Sequence, residues 1–300
     1  MAAFVLAIDQ GTTGSTVALM DARGKVRASV NYEFPQVFPK PGWVEHRPDE
    51  IWSSVGKGIR AILRRKLCKP GDIAAIGITN QRETALLWDR RTGEPLNNAI
   101  VWQCRRTTEF CESLRQAGHE AAIKRKSGLV LDPYFSASKY RWLLKNSKGV
   151  ARLLRAGHVA SGTVDSYMIW QLTGGDTHVT DISNASRTSL MNIDSGEWDP
   201  QLLELFEVPA DILPRIRPCS GVLGYTRGVP GLPDGIPISG VAGDQQAALF
   251  GQACFSTGDA KCTFGTGSFI MMNTGPRSVQ SDTGLLTTVA WQLGEGSKPV

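Results

Sequence analysis

The chain lacks most of the features that mark membrane, secreted and nucleic-acid-binding proteins. No stretch approaches the roughly 20 apolar residues that a membrane-spanning helix needs. The apolar start Met1–Ile8 is too short for a signal peptide and has no basic opening. Six cysteines (68, 104, 111, 219, 254 and 262) form no Cys-x-x-Cys pair and lie in or beside apolar stretches. That pattern excludes a disulfide framework and predicts reduced, buried thiols in a soluble, cytoplasmic protein. The net charge is only +5, and clusters such as Arg64-Arg65-Lys66 and Arg105-Arg106 are dispersed, with no aromatic stripe around them. They read as solvated helix faces rather than a nucleic-acid groove. There is no Walker-type Gly-x-x-x-x-Gly-Lys and no Gly-x-Gly-x-x-Gly fingerprint, and no histidine follows His178.

What is present is an ordinary globular composition, 41% apolar over 300 residues, enough for a large core and roughly two domains. Two glycine- and hydroxyl-rich turns stand far apart, Asp9-Gln-Gly-Thr-Thr-Gly-Ser15 and Thr263-Phe-Gly-Thr-Gly-Ser268, each between two apolar runs. Glycine lets a backbone approach an anion closely, and successive N–H groups and hydroxyls can then cradle phosphate oxygens. Either turn alone is compatible with an ordinary hairpin. Asp9, ending the first apolar run, makes the first more specific.

Phe4–Ile8, Thr16–Met20 and Lys25–Phe34 read as three meandering strands. A proline- and aromatic-rich loop over 35–48 follows, then a helix opened by Asp49 with Ile51, Trp52, Val55, Ile59, Ile62 and Leu63 at helical spacing. Ile73–Thr79, Glu83–Trp88 and Ala99–Trp102 read as strands. Thr107–Gln116, Ser138–Lys145 and Thr163–Leu172 read as helices, the last stopped by Gly174-Gly175. Six prolines between Pro209 and Pro237 mark an irregular connection, Gly240–Gly243 a flexible segment, and Gln245–Gly251 a helix. Strands return at Ala260–Phe264, Phe269–Asn273 and Gly284–Trp291. This alternation predicts an α/β fold with helices on both sides of a mixed sheet. The three-strand opening begins again near residue 251, so residues 1–251 are expected to form one domain and 252–300 only the first strands of a second, with the chain cut short.

The stretches Ala7-Ile-Asp-Gln-Gly-Thr-Thr13, Pro39-Lys-Pro-Gly-Trp-Val-Glu-His46, Gly77-Ile-Thr-Asn-Gln-Arg-Glu83, Ala99-Ile-Val-Trp-Gln-Cys-Arg-Arg106, Asp132-Pro-Tyr-Phe135, Val179-Thr-Asp-Ile-Ser-Asn-Ala-Ser-Arg187, Gly243-Asp-Gln-Gln-Ala-Ala-Leu-Phe-Gly251 and Phe264-Gly-Thr-Gly267 resemble the glycerol kinases of the FGGY carbohydrate kinase family. The resemblance runs over practically the whole chain. It implies two domains of the actin and ribonuclease H-like fold and ATP-dependent phosphorylation of glycerol to sn-glycerol 3-phosphate in the cleft between them. It maps the glycerol-binding positions onto Arg82, Glu83, Trp102, Tyr134, Asp244, Gln245 and Phe269. Nucleotide-phosphate contacts fall on Thr12, Thr13, Gly14 and Thr266, and the position that holds Mg2+ falls on Asp9. It also implies ATP and ADP as partners and a homo-oligomer, dimer or tetramer.

Those residue types suit the chemistry. Arg82 donates, Glu83 accepts and Gln245 does either, while Trp102, Tyr134 and Phe269 can pack on C–H faces. Asp244 is the candidate general base, its charge favoured by the N-terminus of the helix that follows, although plain helix capping fits the local sequence equally. Core packing for Trp102 and Tyr134, and a surface ion pair for Arg82-Glu83, are the corresponding bland readings. Gly14 and Thr16 depart from the serine and arginine of many relatives, which weakens the expected grip on the departing nucleotide. Residues 227–235 lack the glycine-rich, arginine-ended loop through which some members bind a sugar bisphosphate. A kinase for another small polyol or sugar, and a non-catalytic glycerol-binding remnant, both stay open from sequence.

Overall fold

The first three apolar runs alternate inward and outward residues and close into an antiparallel meander, β1 (Phe4–Gln10), β2 (Gly14–Asp21) and β3 (Val26–Glu33). The structure, a computed structural model, describes residues 4–265 and 267–300. A short β4 (Glu45–His46) precedes helix α1 (Pro48–Arg64). Pro48 sits where a missing N–H costs nothing, and Asp49 and Glu50 in the first turn complement the positive end of the helix. Strand β5 (Ile73–Asn80) then pairs parallel to β1, placing Asp9 beside Thr79 and Gln10 beside Asn80.

The next segment builds a second layer. Strands β6 (Ala85–Asp89) and β7 (Ala99–Ile100), helices α2 (Thr108–Gln116), α3 (Glu120–Ser127), α4 (Ser136–Asn146) and α5 (Val150–Arg155), and strand β8 (Val159–Thr163) follow in order. The small sheet runs β4-β7-β6-β8 and shares a core with α2, α3 and α4 through Leu87, Ile100, Cys111, Ile123, Tyr140 and Leu143. Helix α6 (Val164–Leu172) returns the chain to the main sheet.

From there come β9 (Val179–Asp181), α7 (Ile182–Ala185), β10 (Met191–Asn192), β11 (Glu197–Trp198), α8 (Pro200–Leu205), β12 (Arg215–Arg217), β13 (Ser220–Tyr225), β14 (Pro237–Gly243) and α9 (Asp244–Gly251). The hairpin β15 (Ala260–Phe264) and β16 (Ser268–Met272) follows. The main sheet has the order β13-β14-β5-β1-β2-β3, with β14, β5 and β1 parallel. Ile51, Val55, Ile59 and Ile62 of α1 and Met168, Ile169 and Leu172 of α6 pack on Leu6, Ile8, Val17, Ile76, Ile78 and Val241 of that sheet. Each fully buried isoleucine of this kind contributes about 1.5–3 kcal/mol.

Four expectations from sequence are corrected, the last of them in part. Gly240–Gly243 is not a flexible segment: it is the second half of β14, hydrogen-bonded beside β5, with a register shift between Ile238 and Gly240. Four small residues look like a linker because a covered parallel strand needs no alternation to declare itself. The proline-rich connection likewise contains β12 and β13, its prolines falling at strand ends or between them. Residues 284–291 form no strand. Thr287 N–H donates to Gly128 O, while Ala290 and Trp291 bond to Val300, so the segment has scattered partners and no continuous ladder. The thiols are only partly as expected: Cys104, Cys111, Cys219 and Cys254 are buried, but Cys68 is half-buried and Cys262 exposed. Among the described residues no helix is long and apolar enough to cross a membrane.

Ile59 is fully buried between α1 and the sheet. Ile59→Ala is expected to lower unfolding free energy by about 2–5 kcal/mol, read as a lower urea midpoint with an unchanged slope.

Candidate active site

Parallel strands present their carboxyl ends on one edge of a sheet, which is where open α/β sheets take ligands. Here β1, β5 and β14 end at Gln10, Asn80 and Gly243, with Asn80 and Gly243 in register. The residues that follow them supply the site. The β1–β2 turn holds Thr12, the β5–β6 turn holds Arg82 and Glu83, and α9 opens with Asp244 and Gln245. Trp102, Tyr134 and the β15–β16 hairpin close the remaining sides. Thr12, Arg82, Glu83, Trp102, Tyr134, Asp244, Gln245, Thr263, Gly265, Gly267 and Phe269 line one cavity of about 160 Å3, small beside the roughly 300–1,000 Å3 of drug-sized sites. A wider groove of about 470 Å3 adjoins it across Trp102 and Tyr134. Its one ion pair, Arg105–Asp132 at 2.7 Å, is already closed on itself.

All seven residues expected to contact a small polyol border this one cavity. Arg82 is buried, its Nε 3.0 Å from Asp244 Oδ1 and its Nη1 donating to Gln246 Oε1 at 3.2 Å. Gly243 makes this possible: a Cβ there would stand 2.6 Å from Arg82 Cδ. Asp244 is the first residue of α9, not its cap. Its Oδ1, paired in charge with Arg82 Nε, accepts its hydrogen bond from Gln245 N–H at 2.7 Å, and Oδ2 has no donor among the described residues. Burial raises the Asp244 pKa, Arg82 works against that rise, and Glu83 adds to it.

The Arg82-Glu83 pair is not a surface ion pair. Glu83 lies 4.0 Å from Arg82 Nε, while its true partner is Arg187, whose Nε donates to Oε1 at 2.6 Å, with both side chains buried. Glu83 also departs from the strand expected to begin there. Its φ is +62°, and Thr84 N–H donates to Arg82 O at 2.8 Å across it, closing a tight three-residue turn of the strained, positive-φ kind. Such a residue costs about 1–3 kcal/mol and persists only when its surroundings over-determine it.

Trp102 stands edge-on to Tyr134 at 5.8 Å and to Phe269 at 6.5 Å between ring centroids. Its Nε1–H donates to Thr12 Oγ1 at 3.0 Å, joining the aromatic wall to the first turn. Burial and the nearby Glu83 push the Tyr134 hydroxyl up to about 12, so it remains a donor at neutral pH.

The first turn is braced from below. Gln36 Nε2 donates to Thr12 O at 3.0 Å, and its Oε1 accepts from His46 Nε2 at 2.5 Å; Gln81 Nε2 in turn donates to His46 Nδ1 at 3.2 Å and to Gly11 O at 3.2 Å. Burial lowers the His46 pKa to about 4, which keeps the ring neutral, with one nitrogen donating and the other accepting. Thr13 is exposed, while Gly14 is buried where a Cβ would lie 3.0 Å from Tyr32 O. Thr266 lies outside the described residues, but Gly265 and Gly267 on either side line the same cavity as Thr12. Asp9, one residue before the end of β1, lies on the sheet face away from Leu6 and Ile8. Desolvation, and then the negative charge of Asp244, raise its pKa.

Sequence reasoning gave no role to Arg187, Lys139, Gln246 or Lys261. Lys261 on β15 donates to Gln245 Oε1 and, at 2.6 Å, to Thr263 Oγ1. Arg187 and Lys139 lie within or just after quoted motifs, but only the fold shows what they touch.

Residues 4–251 match the FGGY family of carbohydrate kinases, N-terminal domain. The chain belongs to that family. It is 55% identical over 293 residues to the glycerol kinase of Bdellovibrio bacteriovorus, covering 98% of this chain and 59% of that protein. The glycerol kinase of Alkalilimnicola ehrlichii is 56% identical over 290 residues, 97% of this chain and 58% of that one. Among solved structures, Plasmodium falciparum glycerol kinase with ADP superposes with a TM-score of 0.93 at 37% identity, over 99% of this chain and 59% of that chain. Gluconate kinase from Lactobacillus acidophilus follows with a TM-score of 0.80 at 25% identity, over 89% and 53%. The chain thus spans somewhat more than half the length of these relatives. The fold is the α/β, actin and ribonuclease H-like fold of the family's N-terminal domain.

Two outcomes are expected from this geometry. Asp9 should titrate above the ordinary 3.8 in carboxyl 13C NMR, and Asp244→Asn should lower that value by removing the adjacent charge. Gly243→Ala should drive Arg82 off Asp244, with an overpacking cost of about 1–3 kcal/mol, measured by chemical unfolding.

Proposed function

We propose that this chain is the glycerol-binding part of a glycerol kinase, which transfers the γ-phosphoryl group of ATP to a terminal hydroxyl of glycerol to give sn-glycerol 3-phosphate. The observation that carries the reading is the small cavity in which the buried Arg82, its half-buried partner Asp244, Glu83 and Gln245 meet a wall of three aromatic rings. A neutral three-carbon triol needs paired donors and acceptors around it and a flat apolar surface against its carbon chain. The glycerol kinases among the relatives support the same substrate.

In this reading Asp244 is the general base. Arg82 and the Gln245 N–H hold Oδ1, leaving Oδ2 to accept the proton of the attacking hydroxyl as the new bond to phosphorus forms. Glu83 and Gln245 orient the other hydroxyls, and Trp102, Tyr134 and Phe269 exclude water and fix the carbon chain. Phosphoryl transfer asks the protein chiefly for alignment and for neutralisation of charge on the phosphate. Thr12, Thr13 and Gly14 in the first turn and Thr266 in the second are the proposed phosphate contacts.

No group of three or more metal-ligating side chains occurs among the described residues. Mg2+ keeps several waters and takes one or two carboxylates. Asp9, whose carboxylate feels the charge of Asp244, is the residue that would hold it. When bound, Mg2+ would supply charge neutralisation at the phosphate oxygens. Residues 1–251 are proposed as the N-terminal domain and 252–300 as the opening of the second. Six free cysteines fit a cytoplasmic location.

Asp244→Asn in the full-length enzyme is expected to leave glycerol affinity within a few-fold while lowering kcat by about 10²–10⁴-fold, the range of general-base losses. Calorimetric titration with glycerol and a coupled assay for ADP release measure the two. Near-normal turnover in the variant would remove Asp244 from the role, and no glycerol binding by the unmodified protein would sink the substrate assignment.

A further inference from the structure

Glu83 is held at both ends by side chains that do not border the cavity. Its main-chain carbonyl accepts from Ser136 Oγ at 3.1 Å and from Lys139 Nζ at 3.3 Å, both from α4. Lys139 is fully buried, and its ammonium also reaches the carbonyl oxygens of Phe135, at 3.1 Å, and Tyr134. These donors pin the backbone of the positive-φ turn. The carboxylate is held separately by Arg187, through Oε1 at 2.6 Å. Arg187 follows α7, whose start is capped by Asp181 accepting from Ser183 and Asn184 N–H. Its guanidinium also faces the rings of Phe135 at 5.1 Å and Tyr134 at 5.7 Å. Glu83 Oε2 has no donor among the described residues, and Glu83 lines the cavity.

We infer that Arg187 is a positioning residue that aims the Glu83 carboxylate into the pocket, and so sets which pattern of substrate hydroxyls the site accepts. The inference rests on the polyol-binding reading above. A buried ion pair is weak support for stability, since apolar side chains of similar volume serve as well. Packing alone would also let a positive-φ glutamate relax. Fixing Oε1 on Arg187 leaves Oε2 as one acceptor of defined direction. A buried acceptor so placed penalises a ligand that lacks the matching hydroxyl, because the acceptor is then left unpaired. The arrangement therefore serves discrimination between glycerol and its deoxy analogues more than affinity for any three-carbon chain.

The test is steady-state kinetics of the full-length protein with glycerol, propane-1,2-diol and propane-1,3-diol, for wild type, Glu83→Gln, Arg187→Met and Arg187→Lys, with rates referred to titrated active sites. Wild type is expected to prefer glycerol over at least one diol by about tenfold or more in kcat/KM, the value of one hydrogen bond to a charged acceptor. Arg187→Met should lose about 10–100-fold in kcat/KM for glycerol, mainly through KM. Its glycerol-to-diol ratio should collapse towards that of Glu83→Gln. Arg187→Lys keeps the charge without the planar fork and should recover part of both, which also keeps the test valid if Arg187→Met does not fold. Variants that lose thermal stability or active fraction but keep the wild-type ratio would show a purely structural role and overturn the inference alone. A wild-type enzyme that phosphorylates none of the three would overturn the proposed function, and this inference with it.

Discussion

Four buried or half-buried formal charges, Arg82, Glu83, Arg187 and Asp244, meet where β5 and β14 end, and the arrangement of the site follows from their need to neutralise one another. An isolated charge in such a place would cost several kcal/mol. Two cations and two carboxylates share it out instead: Arg82 pairs with Asp244 and Arg187 with Glu83. Each pair uses one carboxylate oxygen and leaves the other without a protein donor among the described residues. The two pairs thus neutralise one another before a ligand arrives, yet still offer two acceptors.

That arrangement depends on backbone register. Gly243 stands beside Asn80 because β14 and β5 are parallel and in step, and this brings the first turn of α9 over the turn that carries Arg82 and Glu83. Asn80 and Asn184 exchange hydrogen bonds at 3.0 Å in both directions, tying the end of β5 to α7 and so to Arg187. The other side of the cleft is braced by neutral groups. The half-buried Gln36 and the buried His46 and Gln81 form a chain under the β1–β2 turn, and a charged histidine there would lack an acceptor for its second proton. These bonds hold the turn rigid from below.

Much of the fold was legible in order and type. The meander, α1, β5 and α9 announced themselves through strand alternation, helical spacing and turn residues, because each buries one apolar face. The misses share a cause. Pro237–Gly243 is short of large apolar residues because it lies covered inside a sheet, so neither period appears and its glycines mimic a linker. Residues 284–291 have strand-like composition but no neighbour offering a ladder, and a strand exists only by pairing. Of the expected site residues, Thr12 and the seven proposed polyol contacts border a single cavity, while Asp9, Thr13 and Gly14 do not line it. Arg187, Lys139 and Gln246 act through distant partners, and no spacing rule reports a contact between residues 83 and 187.

By itself the sequence determined which side chains would be available, the α/β class, the position of the two glycine- and hydroxyl-rich turns and the absence of a Cys-x-x-Cys framework, since all of these rest on local residue chemistry. Only the tertiary structure decided who pairs with whom: that Glu83 belongs to Arg187 and Arg82 to Asp244, that Glu83 occupies a strained turn, and that Asp244 begins α9 instead of capping it. The physical reason is that buried charges choose partners by distance and desolvation, and both are fixed by how strands align rather than by how residues follow one another.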